Sequence, residues 1–192
     1  VYAFLLSTAV IFVAELGDKS QLMAMTFAAR YRARDVLIGI TVATAIVHLI
    51  SVGLGAFVGD QFAESQGAIS VVAGLAFLGF AAWTLRGDEL SEEEAEKARR
   101  SSGAAILAVG VAFFLAELGD KTMLATITLA TQEGWLGTWI GSTLGMVLAD
   151  ALAIGVGAVL GRNLPEKAIR YGAAAAFAVF GLLLIADGAG WL

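Results

Sequence analysis

Glu15 and Asp18 stand three residues apart, and the same pair returns at Glu117 and Asp120, each time within Glu-Leu-Gly-Asp-Lys. On a helix that spacing puts both carboxylates on one face, and clustered carboxylate oxygens are the chemistry of Ca2+, Mg2+ and Mn2+. Lys19 and Lys121 follow the acids directly, and Ser20 and Thr122 then add a hydroxyl. If the two segments cross, four carboxylates against two ammonium groups leave a formal charge of −2. One divalent cation would cancel it, and two protons would serve equally. The charge count therefore predicts exchange of one cation for two protons, with the empty site too highly charged to cross an apolar medium.

The surrounding residues narrow the ion. Zinc, copper and nickel sites recruit Cys or several His, whereas the chain has no Cys and one His. Disulfides are excluded on the same ground. Met23, Met25 and Met123 lie near the motifs, where Met is more often packing than a soft-metal ligand. No resident cofactor is expected, because the ion is cargo. On a helical wheel Thr26 and Thr128 fall on the side of the glutamates, and Gln21 joins them as a supporting polar group. Gly17 and Gly119 lie between the acids, where a missing Cβ permits either close approach of another helix or a local break that exposes carbonyls; both uses stay open.

Further along, Thr41, Thr44, His48 and Ser51 form a polar stripe, with Asp150 standing opposite His48 in the register described below and Thr143 opposite Thr41. A lone buried His is more often a packing group than a functional one. Asp150 is open to three roles: completing the coordination shell, pairing with a motif lysine, or relaying protons with His48.

The elements that must carry these residues are set by composition. Of 192 residues only 15% are charged and 59% are hydrophobic, with a mean hydropathy of +0.83, whereas a soluble domain carries roughly a quarter charged residues. A spanning helix needs about 20 mainly apolar residues, and six such stretches are expected, at about 1–29, 36–59, 68–85, 104–130, 136–160 and 171–190. The first is not a signal peptide, since it lacks a basic leader and is interrupted by Glu15, Asp18 and Lys19. The alternating strands of a membrane β-barrel are absent from the sequence.

Adding 102 to a residue number maps one half on the other without a gap: Glu15 to Ser20 falls on Glu117 to Thr122, Thr26 on Thr128, Gly39 on Gly141, Gly53 and Gly55 on Gly155 and Gly157, and Gly79 on Gly181. Basic residues follow the first, third and fifth stretches (Arg30, Arg32, Arg34; Arg86, Lys97, Arg99, Arg100; Arg162, Lys167, Arg170), leaving only Lys19 and Lys121 within stretches. The positive-inside rule then places these loops in the cytoplasm and both termini outside. An odd number of helices per repeat makes the copies antiparallel, the inverted-repeat plan of secondary transporters, whose site lies near the midplane. The expectation is an all-α membrane protein of six transmembrane helices in two inverted three-helix repeats. Residues 1–85 and 104–192 form the repeats, joined by an acidic cytoplasmic linker at 86–103, where Ser91 and Glu94 have the spacing of a helix-capping pair. This charge run is taken as a solvated connector.

An ionised group at Glu15 has fourteen residues before it in its stretch. Burial there costs at least ~2.5 kcal/mol on insertion scales, so intramembrane acids are functional by default. The bland reading, in which each Glu merely pairs with the Lys four residues on, leaves one acid per segment unmatched and is disfavoured because buried ion pairs rarely repay desolvation. A membrane enzyme with paired carboxylates as acid and base would need an asymmetric site, whereas both halves keep the same acids.

The pattern Glu-x-Gly-Asp-[Lys/Arg]-[Ser/Thr], once in each half of a six-helix chain, resembles the signature of the Golgi-type manganese/calcium:proton exchanger family, which includes yeast Gdt-type proteins, chloroplast manganese carriers and bacterial MneA-type manganese exporters. Both copies match in full. The resemblance implies export of Mn2+, with Ca2+ in some members, against inward-moving protons by alternating access, and it places the essential acids at Glu15, Asp18, Glu117 and Asp120. The alternatives are a Ca2+/H+ antiporter and an exporter of a small organic cation. The expected partners are the divalent ion, protons and the bilayer; no nucleic acid is expected, and a homo-oligomer is left open. Compact length and the lack of a targeting extension favour a bacterial plasma membrane.

Overall fold

The structure, a computed structural model, describes residues 1–86, 105–160 and 166–191. The acidic linker with its Ser91 and Glu94 capping pair, and the basic residues Lys97, Arg99, Arg100 and Arg162, lie outside the described residues.

Every described element is helical. Ala, Leu, Val and Ile dominate each segment and supply no alternative to backbone pairing in an apolar medium, where only helices and closed barrels satisfy the peptide groups. The order is α1 (Tyr2–Glu15), α2 (Lys19–Ala28), α3 (Ala33–Gln61), a 3-10 turn (Ala63–Ser65), α4 (Gln66–Arg86), α5 (Ala105–Glu117), α6 (Lys121–Ala130), α7 (Trp135–Leu160) and α8 (Glu166–Gly188). Among the described residues, four helices are long and apolar enough to cross a membrane: α3, α4, α7 and α8.

The continuous helices expected at 1–29 and 104–130 are each two shorter helices. The chain turns at Gly17 (φ 76°) and Gly119 (φ 80°), a left-handed conformation that costs an L-residue with a Cβ roughly 1–2 kcal/mol. Asp18 and Asp120 follow with extended backbone at the N-cap positions of α2 and α6. Of the two uses left open for these glycines, the backbone adopts the break.

The directions of the helices follow from their contacts. After the short turn at 29–32, α3 runs back along the way α1 and α2 came. Its Gly39 packs on Ile106 and Val109 at the start of α5, and its Gly55 on Ile127 and Ala130 at the end of α6. So α3 runs with α5 and α6. Helix α7 runs likewise with α1 and α2, its Gly141 and Gly145 against Phe4 and Thr8 and its Gly157 against Met25. Hence α3 and α7 are antiparallel where they cross. There Thr44 Oγ1 donates to Met146 Sδ at 3.3 Å, and Trp139 Nε1 donates to the Ala45 carbonyl at 2.8 Å. Small residues let these backbones approach closely, as membrane packing requires.

Helices α4 and α8 form a separate antiparallel pair, Gly74 against Gly181 and Gly67 against Gly188. Phe77 meets Phe180 edge-on at 4.8 Å and Phe177 at 5.8 Å within the seam. Between α8 and α1 lies an apolar cleft of about 430 Å³, lined by Val10, Val13, Ala176, Phe180 and Leu183 among others. The molecule is inside-out relative to a soluble protein: Leu107 and Leu115 are 68% and 64% exposed while Glu15 and Asp18 are fully buried. That arrangement is stable only with lipid outside.

Candidate ion site

The two breaks bring the motif acids into the interior. Glu15 ends α1 and Glu117 ends α5, while Asp18 and Asp120 begin the next helices, and all four are buried. Ending a helix at the glutamate takes its last carbonyls out of the regular ladder, and Glu15 O and Glu117 O accept instead from the Asp18 and Asp120 amides across the turn. The three-residue spacing therefore acts through a bend, with the acids flanking a turn rather than sharing a continuous helical face.

Hydroxyls fix the glutamates. Ser20 Oγ donates to Glu15 Oε1, and Thr122 Oγ1 donates to Glu117 Oε2 at 2.9 Å. Glu15 Oε2, Asp18 Oδ2 and Glu117 Oε1 stay buried with no hydrogen-bond partner among the described residues. Buried polar atoms are almost always paired, so three orphaned carboxylate oxygens in one region ask for a cation or a proton.

The lysines cross between the halves. Lys121 pairs with Asp18, and Lys19 Nζ lies 3.9 Å from Asp120 Oδ1. The motif lysines thus reach the aspartate of the opposite half across the two breaks. Glu15 lies within electrostatic reach of Glu117, Asp18, Asp150 and Lys121, and Glu117 within reach of Asp120, Asp18 and Asp150. Among the described residues, no three His, Cys, Asp or Glu side chains are gathered closely enough to hold one metal ion as they stand.

The supporting residues divide. Gln21 is buried and bridges the first break, its Oε1 accepting from Gly17 N–H at 2.8 Å and its Nε2 donating to the Ala149 carbonyl at 2.9 Å. His48, Thr44 and Ser51 lie on the buried face of α3, whereas Thr41 of the same stripe faces outward and bonds Leu37 O. Asp150 is fully buried, and among the described residues neither its oxygens nor the ring nitrogens of His48 have a hydrogen-bond partner. Thr143 keeps a buried hydroxyl without a partner among the described residues.

Thr26 and Thr128 are not brought to the acids; each hydroxyl bonds a carbonyl of its own helix, Leu22 O and Leu124 O. Their wheel position assumed one helix through the motif, and the break resets the phase. Thr126, which the same wheel passes over, is fully buried and bonds Thr122 O at 2.8 Å. Counting afresh from Asp120 as an N-cap would have found it.

Residues 3–92 and 105–191 match the family model described as "Divalent cation/proton antiporter GDT1". A Vibrio cholerae serotype O1 protein named "Putative manganese exporter" is 34% identical over 180 residues, covering 92% of this chain and 87% of the relative. The Arabidopsis thaliana proteins PAM71, chloroplastic, and its homolog are 34% and 30% identical, covering 96% and 92% of this chain. The chain spans only 56% and 57% of the length of these two plant relatives. No solved structure matches it.

Proposed function

Because the chain belongs to the GDT1 family of divalent cation/proton antiporters, we propose that it exports Mn2+ from the cytoplasm in exchange for protons, with Ca2+ as the alternative cargo. One observation carries this reading: identical acid pairs flank breaks in two oppositely running helix pairs and share their lysines across the halves. The six spans are α1–α2, α3, α4, α5–α6, α7 and α8, arranged as two inverted repeats, residues 1–85 and 104–192. The positive-inside rule puts the 86–103 linker in the cytoplasm and both termini outside, in a bacterial plasma membrane.

Glu15, Asp18, Glu117 and Asp120 bind the ion. Ser20 and Thr122 orient the glutamates, and the carbonyls at the breaks supply further oxygens. Binding must draw the carboxylates together and release Lys121 from Asp18, so ammonium and metal compete for the same oxygen. With the ion gone, two protons restore neutrality and permit the return step. The α4–α8 pair, zipped to itself and separated from α1 by the apolar cleft, gives the body that moves against the motif helices in alternating access.

The test is Mn2+ uptake into inside-out vesicles. Uptake should require an outwardly directed proton gradient across the vesicle wall and vanish in Glu117→Gln. Uptake indifferent to the gradient would remove the antiport step, and a rate that follows membrane potential would remove the one-for-two stoichiometry.

A further inference from the structure

The acids are the same in both halves, and the residues behind them are not. At positions related by the 102-residue register stand His48 and Asp150. Both are fully buried, and neither has a hydrogen-bond partner among the described residues. Each sits one turn beyond the Thr44–Met146 contact on its own helix. Because α3 and α7 are antiparallel, the two groups lie on opposite sides of that crossing, each about 6 Å away along its axis.

Asp150 is tied to the acid cluster. Gln21 clamps the carbonyl of Ala149, the preceding residue, to the Gly17 amide at the first break. Asp18 follows Gly17 directly and Asp150 follows Ala149 directly, so this clamp draws together the two backbone segments that carry them. Asp150 is on the side of the crossing toward the α7 C-terminus, the end that the positive-inside rule assigns to the cytoplasm. His48 is on the other side and brings no formal negative charge.

We propose that Asp150 is the loading residue of the cation site: a fifth carboxylate, unmatched in the other half, that strengthens divalent-ion binding when the site faces the cytoplasm. This rests on the export reading given above and goes beyond it by giving the symmetric acid core a polarity. A cation arriving from the cytoplasm meets Asp150 beside Asp18. A cation leaving outward passes His48, which holds it less tightly. Tighter binding at the cytoplasmic face loads the site from dilute cytoplasmic cation and weaker binding at the outer face speeds its release, while the proton and cation gradients set the direction of net transport.

Sided transport with Mn2+ as the probe tests the proposal, in right-side-out and inside-out proteoliposomes. Asp150→Asn should raise the KM at the cytoplasmic face about tenfold, in line with losing a nearby unit charge from a partly screened site, while kcat and the external-face KM change little. Asp150→Glu should restore cytoplasmic affinity. His48→Asp should lower the external-face KM by a similar factor and slow outward release. This second variant keeps the test open if Asp150→Asn does not fold. An unchanged cytoplasmic KM in Asp150→Asn, equal KM changes at both faces, or an external KM indifferent to His48→Asp would each overturn the proposal. If wild type carries Mn2+ and Asp150→Asn matches it, only this inference falls; if wild type carries none, the export reading falls with it.

Discussion

In the first half of the molecule the motif break is bolted to the opposite long helix, since Gln21 joins Gly17 to Ala149. The second half has Met123 at that position, and its sulfur accepts from Gly119 N–H at 3.2 Å. The lysines differ in the same sense: the side chain of Lys121 is 3% exposed against Asp18, and that of Lys19 is 17% exposed at 3.9 Å from Asp120. One half thus presents a fixed break and the other a looser one around the same four acids. The acids answer to the charge of the ion, which is indifferent to the halves; the groups behind them answer to which side of the membrane each half faces.

Removing an acid is the largest test of the comparison. Glu15→Gln and Glu117→Gln should each reduce Mn2+ transport by at least about a hundredfold, the upper end of what even an outer-shell substitution costs a metal site. Equal losses would establish that the acid core is symmetric in function. Substantial transport by either variant in reconstituted vesicles would break the comparison at its centre.

The lysines should separate the halves. Lys121→Met leaves Asp18 buried and unpaired, a loss of about 3–5 kcal/mol for a buried pair, while Lys19→Met breaks a longer, wetter contact and should cost clearly less. Thermal unfolding in detergent reads the difference. Added Mn2+ should recover more stability in Lys121→Met than in wild type, because the metal then replaces an ammonium rather than competing with it. Equal destabilisation by the two substitutions would show that the static asymmetry averages out.

How much of this was legible in the sequence depends on what periodicity can see. The apolar stretches around α3, α4, α7 and α8 were found to within a few residues at most ends because lipid demands long unbroken runs. At Gly17 and Gly119 the sequence does not decide, since glycine permits both a turn and a close approach, and the choice is made by tertiary contacts. Everything measured by helical phase across the break then failed: Thr26 and Thr128 turned away and Thr126 turned in. The cross-repeat lysine pairs were equally hidden, because spacing within one segment carries no information about the segment it meets. The −2 charge count covers the four motif acids and two lysines alone and leaves out the buried Asp150.

Exchanging the two break fasteners sharpens the comparison at a smaller scale. Gln21→Met removes the bond to Ala149 O and replaces an amide acceptor by a thioether, a loss of about 1–2 kcal/mol for buried hydrogen bonds. Met123→Gln should cost less, since the wild-type N–H to sulfur contact is weak. If the fixed break serves loading, Gln21→Met should also weaken Mn2+ binding from the cytoplasmic face. Isothermal titration of both variants checks the pair, and a tighter cytoplasmic site in Gln21→Met would contradict the assignment.

The smallest expected difference lies in the glycines themselves. Gly17→Ala and Gly119→Ala both force a Cβ into left-handed backbone, costing roughly 1–2 kcal/mol each. A Cβ at Gly119 would meet nothing within 4 Å, whereas at Gly17 it would lie 3.3 Å from Ile169 Cγ2 on α8. The added Cβ meets a neighbour only at Gly17, and Gly17→Ala should be the less stable by a few tenths of a kcal/mol, on the scale of a handful of van der Waals contacts. Combining each with Ile169→Ala isolates the cause, because removing Cγ2 should relieve Gly17→Ala and leave Gly119→Ala unchanged. If Ile169→Ala rescues neither, α8 is not held against the first break in the membrane, and the looser half of the molecule would have to be sought there instead.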